Sequence, residues 1–133
     1  MYRLHIGNHS EFVAIEIRNR RAIDKWVNCD VEVRVKGFRA SISAEFEDRD
    51  FLRFENELRT LYDKLSGTAR LWPRDEQLTL TLQGNGLGRI EVNGSAWYVA
   101  CYGSKLEFEF EIDQSYLPAV LHQLSEIDKA FLA

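Results

Sequence analysis

Residues 105–113 read Lys-Leu-Glu-Phe-Glu-Phe-Glu-Ile-Asp. Glu107, Glu109, Glu111 and Asp113 alternate with Leu106, Phe108, Phe110 and Ile112, so a strand here has one apolar face and one face of carboxylates. Successive carboxylates on that face stand about 7 Å apart and repel weakly through water. Such a row serves solubility, with Arg or Lys on neighbouring strands offsetting the repulsion. It also suits a basic partner, because charge complementarity speeds encounter and sharpens selectivity more than it adds affinity. Trp72 sits beside Pro73 at a turn signal, where partial exposure is expected, and exposed Trp is a favoured interface anchor. Glu107, Glu109, Glu111 and Trp72 are therefore the candidate partner-binding residues.

Other chemistries find less support. Gly84-Asn85-Gly86-Leu87-Gly88 lacks the Lys-Ser/Thr ending of a phosphate loop and leads into a strand, so it reads as a turn. His5 and His9 fall on a strand and its exit, and His122 stands alone on a helix; none has a Cys or carboxylate at ligand spacing. No Ser lies in a nucleophile-elbow sequence. Glu45, Glu47, Asp48 and Asp50 gather where a helix begins, which capping and the helix dipole explain. Cys29 and Cys101 show no disulfide or redox spacing and read as reduced core or near-core thiols, with Cys101 in an apolar strand pattern. No metal, cofactor or catalytic residue is assigned.

The bulk numbers agree with a binding role. The chain has 133 residues, the size of one domain spanning 1–133, with a net charge of −4. That balance argues against a general nucleic-acid binder, which neutralises phosphates with Lys and Arg. No apolar run is long enough for a signal peptide or a membrane span, so a cytoplasmic location is expected.

The elements that must position the candidates follow from periodicity. Phe12–Ile17 and Val27–Val35 alternate at period two, and Phe38–Phe46 continues after a turn at Lys36-Gly37. From Glu47 to Leu65 the spacing of Phe51, Phe54, Leu58, Leu61, Tyr62 and Leu65 predicts a helix, with Asp48 as its cap and Gly67 as its stop. Strands resume with Ala69-Leu71 and Leu78–Leu82. Ile90 and Val92 follow the glycine turn, and Asn93-Gly94 reads as a hairpin turn. Ala96–Tyr102 is apolar on both faces and predicts a covered central strand. Leu117, Val120, Leu121, Leu124, Ile127 and Phe131 form the stripe of a closing helix, capped by Asp113 or Ser115, with Pro118 in its first turn. The expected fold is α+β: about seven to nine strands, mainly antiparallel, with two amphipathic helices laid on the sheet. No internal repeat is visible.

Three stretches, Phe51–Leu71 (FLRFENELRTLYDKLSGTARL), Leu78–Gly94 (LTLTLQGNGLGRIEVNG) and Leu106–Leu124 (LEFEFEIDQSYLPAVLHQL), together resemble the WapI-type bacterial immunity proteins and their uncharacterised relatives. The most specific marks are Leu61-Tyr62 before Leu65-Ser66-Gly67, the Gly84/Gly86/Gly88 turn, and Asp113–Pro118. The likeness spans residues 27–127 and leaves the first 25 outside it. It implies a cytoplasmic, non-catalytic protein that binds and neutralises a bacterial toxin domain. The rival expectations are a homo-oligomeric scaffold, such as a homodimer mating an uncovered sheet face, and a small-molecule-binding domain with a pocket between helix and sheet.

Overall fold

The computed structural model describes residues 2–132. Eight strands and two long helices occur in the order β1 (Tyr2–Gly7), β2 (Phe12–Arg20), β3 (Trp26–Val35), β4 (Phe38–Glu47), α1 (Asp48–Lys64), β5 (Ser66–Leu71), β6 (Leu78–Asn85), β7 (Arg89–Val99), β8 (Tyr102–Asp113) and α2 (Leu117–Leu132), with a short 3-10 turn at Gln114–Tyr116 before α2. The fold is α+β and mostly sheet, as the alternating pattern predicts. The strands form two antiparallel four-stranded sheets, β1-β2-β3-β4 and β5-β6-β7-β8, each in sequence order. Each half of the chain is thus a four-stranded meander followed by a helix. The two halves repeat this topology with no visible repeat of sequence, because a meander needs only alternation and turns.

Period-two alternation gives each sheet one apolar face. Leu4, Val13, Ile15, Val31 and Val33 from the first sheet share a continuous core with Leu71, Leu80, Leu82, Val92 and Phe110 from the second. Phe51, Phe54, Leu58 and Leu61 of α1 and Leu117, Val120, Leu124 and Ile127 of α2 complete it. Each such side chain contributes about 1.5–3 kcal/mol by leaving water, so the apolar stripes fix both helices on the sheets.

Local details differ from the expectation at both ends of α1. Glu47 occupies the cap position, and the Asp50 carboxylate accepts a 2.8 Å hydrogen bond from the Glu47 N–H. Asp48 is the first helical residue, and its carboxylate meets Arg20 at 2.9 Å instead of capping. The helix stops at Leu65, which takes φ +58° and donates its N–H to the Leu61 carbonyl at 2.7 Å, two residues before Gly67. Before α2, Asp113 accepts from the Ser115 N–H at 3.0 Å, and Pro118 lies in the first turn as expected.

The largest correction concerns β7. Asn93-Gly94 is no turn: both residues lie mid-strand, Asn93 opposite Thr81 and Glu109, Gly94 opposite Leu80 and Phe108. A Cβ at Gly94 would stand 2.4 Å from the Thr79 carbonyl oxygen and 2.6 Å from Phe108 Cζ, so glycine serves here as space for a neighbouring strand and ring. The hairpin turn falls instead at Ala100-Cys101, with Cys101 at φ +56°. Trp97–Tyr102 therefore forms the tip of the β7–β8 hairpin, not a covered central strand. Cys101 is exposed there, against the expectation of a buried thiol, while Cys29 is buried.

Candidate functional site

The apolar side of β5–β8 faces the core, which leaves the other side of that sheet as a polar surface. Register orders it into rows. Thr79, Ser95 and Glu107 lie side by side; Arg70, Thr81, Asn93 and Glu109 form the next row; Thr68, Gln83, Glu91 and Glu111 form a third. The Thr79 and Ser95 hydroxyls are 2.9 Å apart, and the Asn93 side-chain amide donates to Glu91 at 2.9 Å.

Trp72 stands where the chain leaves β5. It is 43% exposed and borders an open depression of about 490 Å³ lined also by Thr79, Thr81, Asn93, Ser95, Glu107 and Glu109. Trp72, where edge strand β5 ends, and Glu107 and Glu109, on the opposite edge strand β8, thus border the same depression from its two sides. Glu111 lies apart from them, in a smaller depression with Gln83, Arg89 and Glu91. On its other side Trp72 borders a depression lined by Asp50, Arg53, Glu57 and Arg70, and the Arg70 guanidinium lies 5.9 Å from the indole centroid.

The carboxylates differ in their partners. Lys105 Nζ is 2.9 Å from Glu107 and 5.1 Å from the Trp97 ring centroid, so this ammonium is held between a carboxylate and an indole. The hydrogen bond and charge of Lys105 hold the Glu107 carboxyl below its ordinary range. Arg89 meets Glu111 at 3.4 Å. Asp113 is held low by its hydrogen bonds from Ser115, and it turns the chain toward α2 instead of extending the contact row. Among the described residues Glu109 has neither an ion-pair nor a hydrogen-bond partner.

The hairpin tip adds residues that the sequence pattern concealed. Tyr98 is 68% and Tyr102 74% exposed, and Val99 lies between them, half exposed. A bulge between Trp97 and Val99 breaks the alternation there, so neither parity nor an Asn-Gly signal marks the turn. The base of the tip is held rigidly. Buried Gln77 donates from its side-chain nitrogen to the carbonyls of Ser43, Tyr98 and Trp97 at 2.8, 3.1 and 3.3 Å.

Elsewhere, Asp128 of α2 packs against Glu55 and Arg59 of α1. Burial, then its hydrogen bond to Glu55 and that residue's charge, push the Asp128 carboxyl up to about 7. Burial likewise pushes the Cys29 thiol up to about 12, with Asp30 adding to it. Among the described residues no three His, Cys, Asp or Glu side chains converge as a metal set, and no helix is long and apolar enough to cross a membrane.

The profile of the Immunity protein WapI-like family matches residues 3–132. The chain belongs to that family. For this WapI-like chain the match reaches well into the first 25 residues, which the resemblance of the central motifs leaves out; the N-terminal sheet is part of the family's fold. No curated protein matches the chain. Among solved structures it is similar to a chain of "Crystal structures of trypanosoma bruciei MRP1/MRP2", at 14% identity and a TM-score of 0.54, covering 99% of this chain and 87% of that one. At that identity the likeness shows a shared fold.

Proposed function

We propose that this WapI-like chain neutralises a toxin domain by binding it and covering its active surface. Membership of an immunity-protein family over residues 3–132 supports the partner class. The single structural observation that supports the choice of surface is the open depression on the polar sheet face, bordered by Trp72 at the β5 edge and by Glu107 and Glu109 at the β8 edge. The whole chain acts as one unit, because both sheets share the core beneath this face. The acidic row and net charge of −4 favour a basic protein surface and disfavour phosphate backbones. The exposed Tyr98 and Tyr102 at the hairpin tip extend the contact, since Tyr contributes large area at low entropic cost. No step of this role needs a reactive group, and the protein works stoichiometrically in the compartment its toxin would attack.

The test is co-expression with the toxin domain encoded beside it, followed by affinity capture and a toxicity assay. The expected result is a stable complex and protected cells. Absence of capture with that toxin and with every neighbouring toxin domain overturns the reading.

A further inference from the structure

β1 and β4 are the edge strands of the first sheet, and β5 and β8 those of the second. A side chain reaches the outer backbone of each of the first three. At β1 the His5 N–H, turned away from β2, donates to the Gln123 side chain of α2 at 2.8 Å. At β5 the outward Arg70 N–H donates to Glu57 of α1 at 2.8 Å. At β4 the Ser43 carbonyl accepts from Gln77 at 2.8 Å. β8 differs. The Trp97 N–H donates to the Gln77 carbonyl, so the odd residues of β7 bond to β6 and its even residues to β8. The Gln114 N–H donates to the Gly88 carbonyl, which sets Leu106, Phe108, Phe110 and Ile112 as the residues of β8 that bond to β7. The N–H and C=O groups of Lys105, Glu107, Glu109 and Glu111 therefore point out of the sheet. Among the described residues no protein group bonds to them.

From this we infer that the open edge of β8 receives an extended segment of the protein partner as a further strand, one that carries Lys or Arg at alternate positions. The inference rests on the binding reading above and names how the partner docks. Main-chain hydrogen bonds to the outward residues supply affinity, and side chains supply the choice of partner. The outward backbone groups and the carboxylates belong to the same residues. A residue that pairs with Glu107, Glu109 or Glu111 thus lays its side chain beside that carboxylate on the polar face. Basic side chains two apart on the incoming strand repeat at about 7 Å, as the carboxylates do. Glu109 gains most, since Lys105 already meets Glu107 and Arg89 meets Glu111. A second copy of this chain suits the edge poorly. Antiparallel pairing of β8 with its twin over Lys105–Glu111 sets Glu107 opposite Glu109 at the centre, and like charges directly opposite are destabilising. Charged side chains guard an exposed edge against self-pairing; these carboxylates do so while admitting a basic strand.

Amide hydrogen exchange followed by NMR on the full chain reads this edge directly. In the free protein the amides of Glu107, Glu109 and Glu111 are expected to exchange at least tenfold faster than those of Phe108, Phe110 and Ile112, relative to their intrinsic rates. An acetylated, amidated peptide of alternating lysine and valine is then titrated in. The expected result is saturable shifts along β8 at roughly millimolar Kd, with slower exchange at the three outward amides. N-methylation of the peptide at its lysines, whose amides face β8, weakens binding at least tenfold, whereas N-methylation at its valines costs less. Glutamate in place of lysine abolishes binding. Glu109→Pro, which removes an outward N–H and no bond to β7, weakens binding at least tenfold, and Glu109→Gln weakens it several-fold with the strand intact. Equal exchange of the two sets of amides, equal binding of the lysine-methylated or glutamate peptide, or a dimer that protects the outward amides overturns the docking edge. If wild type captures its toxin and the amides of Glu107, Glu109 and Glu111 still exchange freely in the complex, the edge fails while the immunity reading stands. If the peptide binds as described and no toxin is captured, the immunity reading fails and the edge stands.

Discussion

The side-chain nitrogen of Gln77 lies 2.8 Å from the carbonyl oxygen of Ser43, joining the start of the second sheet to the edge strand of the first. The same nitrogen reaches the carbonyls of Trp97 and Tyr98. Gln77→Glu keeps the shape and replaces the donor by a carboxylate facing three carbonyl oxygens. The expected cost is about 1–3 kcal/mol in urea unfolding, because three carbonyl oxygens lose a shared donor and a carboxylate is set against them. Hydrogen exchange at the Trp97–Tyr102 tip is expected to quicken more than exchange elsewhere. Unchanged stability would show that the amide is replaceable by water.

Gly94 carries a second prediction. Gly94→Ala places a methyl 2.4 Å from the Thr79 carbonyl and against the Phe108 ring. Overpacking of this kind costs about 1–3 kcal/mol. The measurement is the denaturant midpoint of the variant. A midpoint equal to wild type would mean that β7 can shift away from β6 at no cost.

The α1–α2 contact makes stability depend on pH in a defined sense. Asp128 is raised from its ordinary 3.8 to about 7 by burial and by Glu55, with the nearby Asp48 charge acting in the same direction and Arg59 opposing. The folded state therefore holds this proton more tightly than the unfolded one. Its contribution is fully present below about pH 4 and is lost as pH rises toward about 7. Asp50, raised chiefly by burial, acts with the same sign. Melting temperature is expected to fall across that window in wild type and to fall less in Asp128→Asn, which keeps the neutral form. Glu107 and Asp113 are shifted the other way and lose their contribution only as pH drops through the acid range.

The two thiols should differ in reactivity. Cys29 is buried, and its thiolate is disfavoured, with its pKa raised to about 12, whereas Cys101 is exposed at the hairpin tip. Since the thiolate is the reactive form, a disulfide reagent near neutral pH is expected to modify only Cys101 in the native protein. Cys29 should react once denaturant is added. Rapid native modification at Cys29 would reveal frequent opening of the first sheet.

At the proposed interface, Trp72→Ala and Tyr102→Ala are expected each to weaken toxin capture by about 2 kcal/mol or more, as truncated aromatic anchors do. Because both side chains are substantially exposed, their thermal stability should stay close to wild type. Calorimetric titration of toxin against each variant measures this. Equal affinity in both would place the interface elsewhere.

How legible these features were depended on which physical rule set them. The Val27–Val35 strand, the α1 stripe from Phe51 to Leu61 and the α2 stripe from Leu117 to Ile127 were readable because one periodicity governs each and the buried residues match it. The Lys36-Gly37 turn was readable because Gly37 takes φ +83°. Asn93-Gly94 misled because glycine has two uses, a turn and a gap for a neighbour, and only the strand beside it decides which. Ala96–Tyr102 misled because alternation fails at a bulge, and an apolar stretch looks alike whether it is covered or projects into water.

The sequence by itself determined the fold class, the carboxylate parity of Glu107, Glu109 and Glu111, and the turn that exposes Trp72, since all three follow from local alternation and chain chemistry. Only the tertiary structure decided that Trp72 and Glu109 border one depression from opposite sheet edges while Glu111 lies outside it, and that Tyr98 and Tyr102 project from a clamped tip. Those relations depend on strand register and on which sheet face packs inward. Both are set by long-range pairing among β5, β6, β7 and β8, whose energies no local window of residues contains.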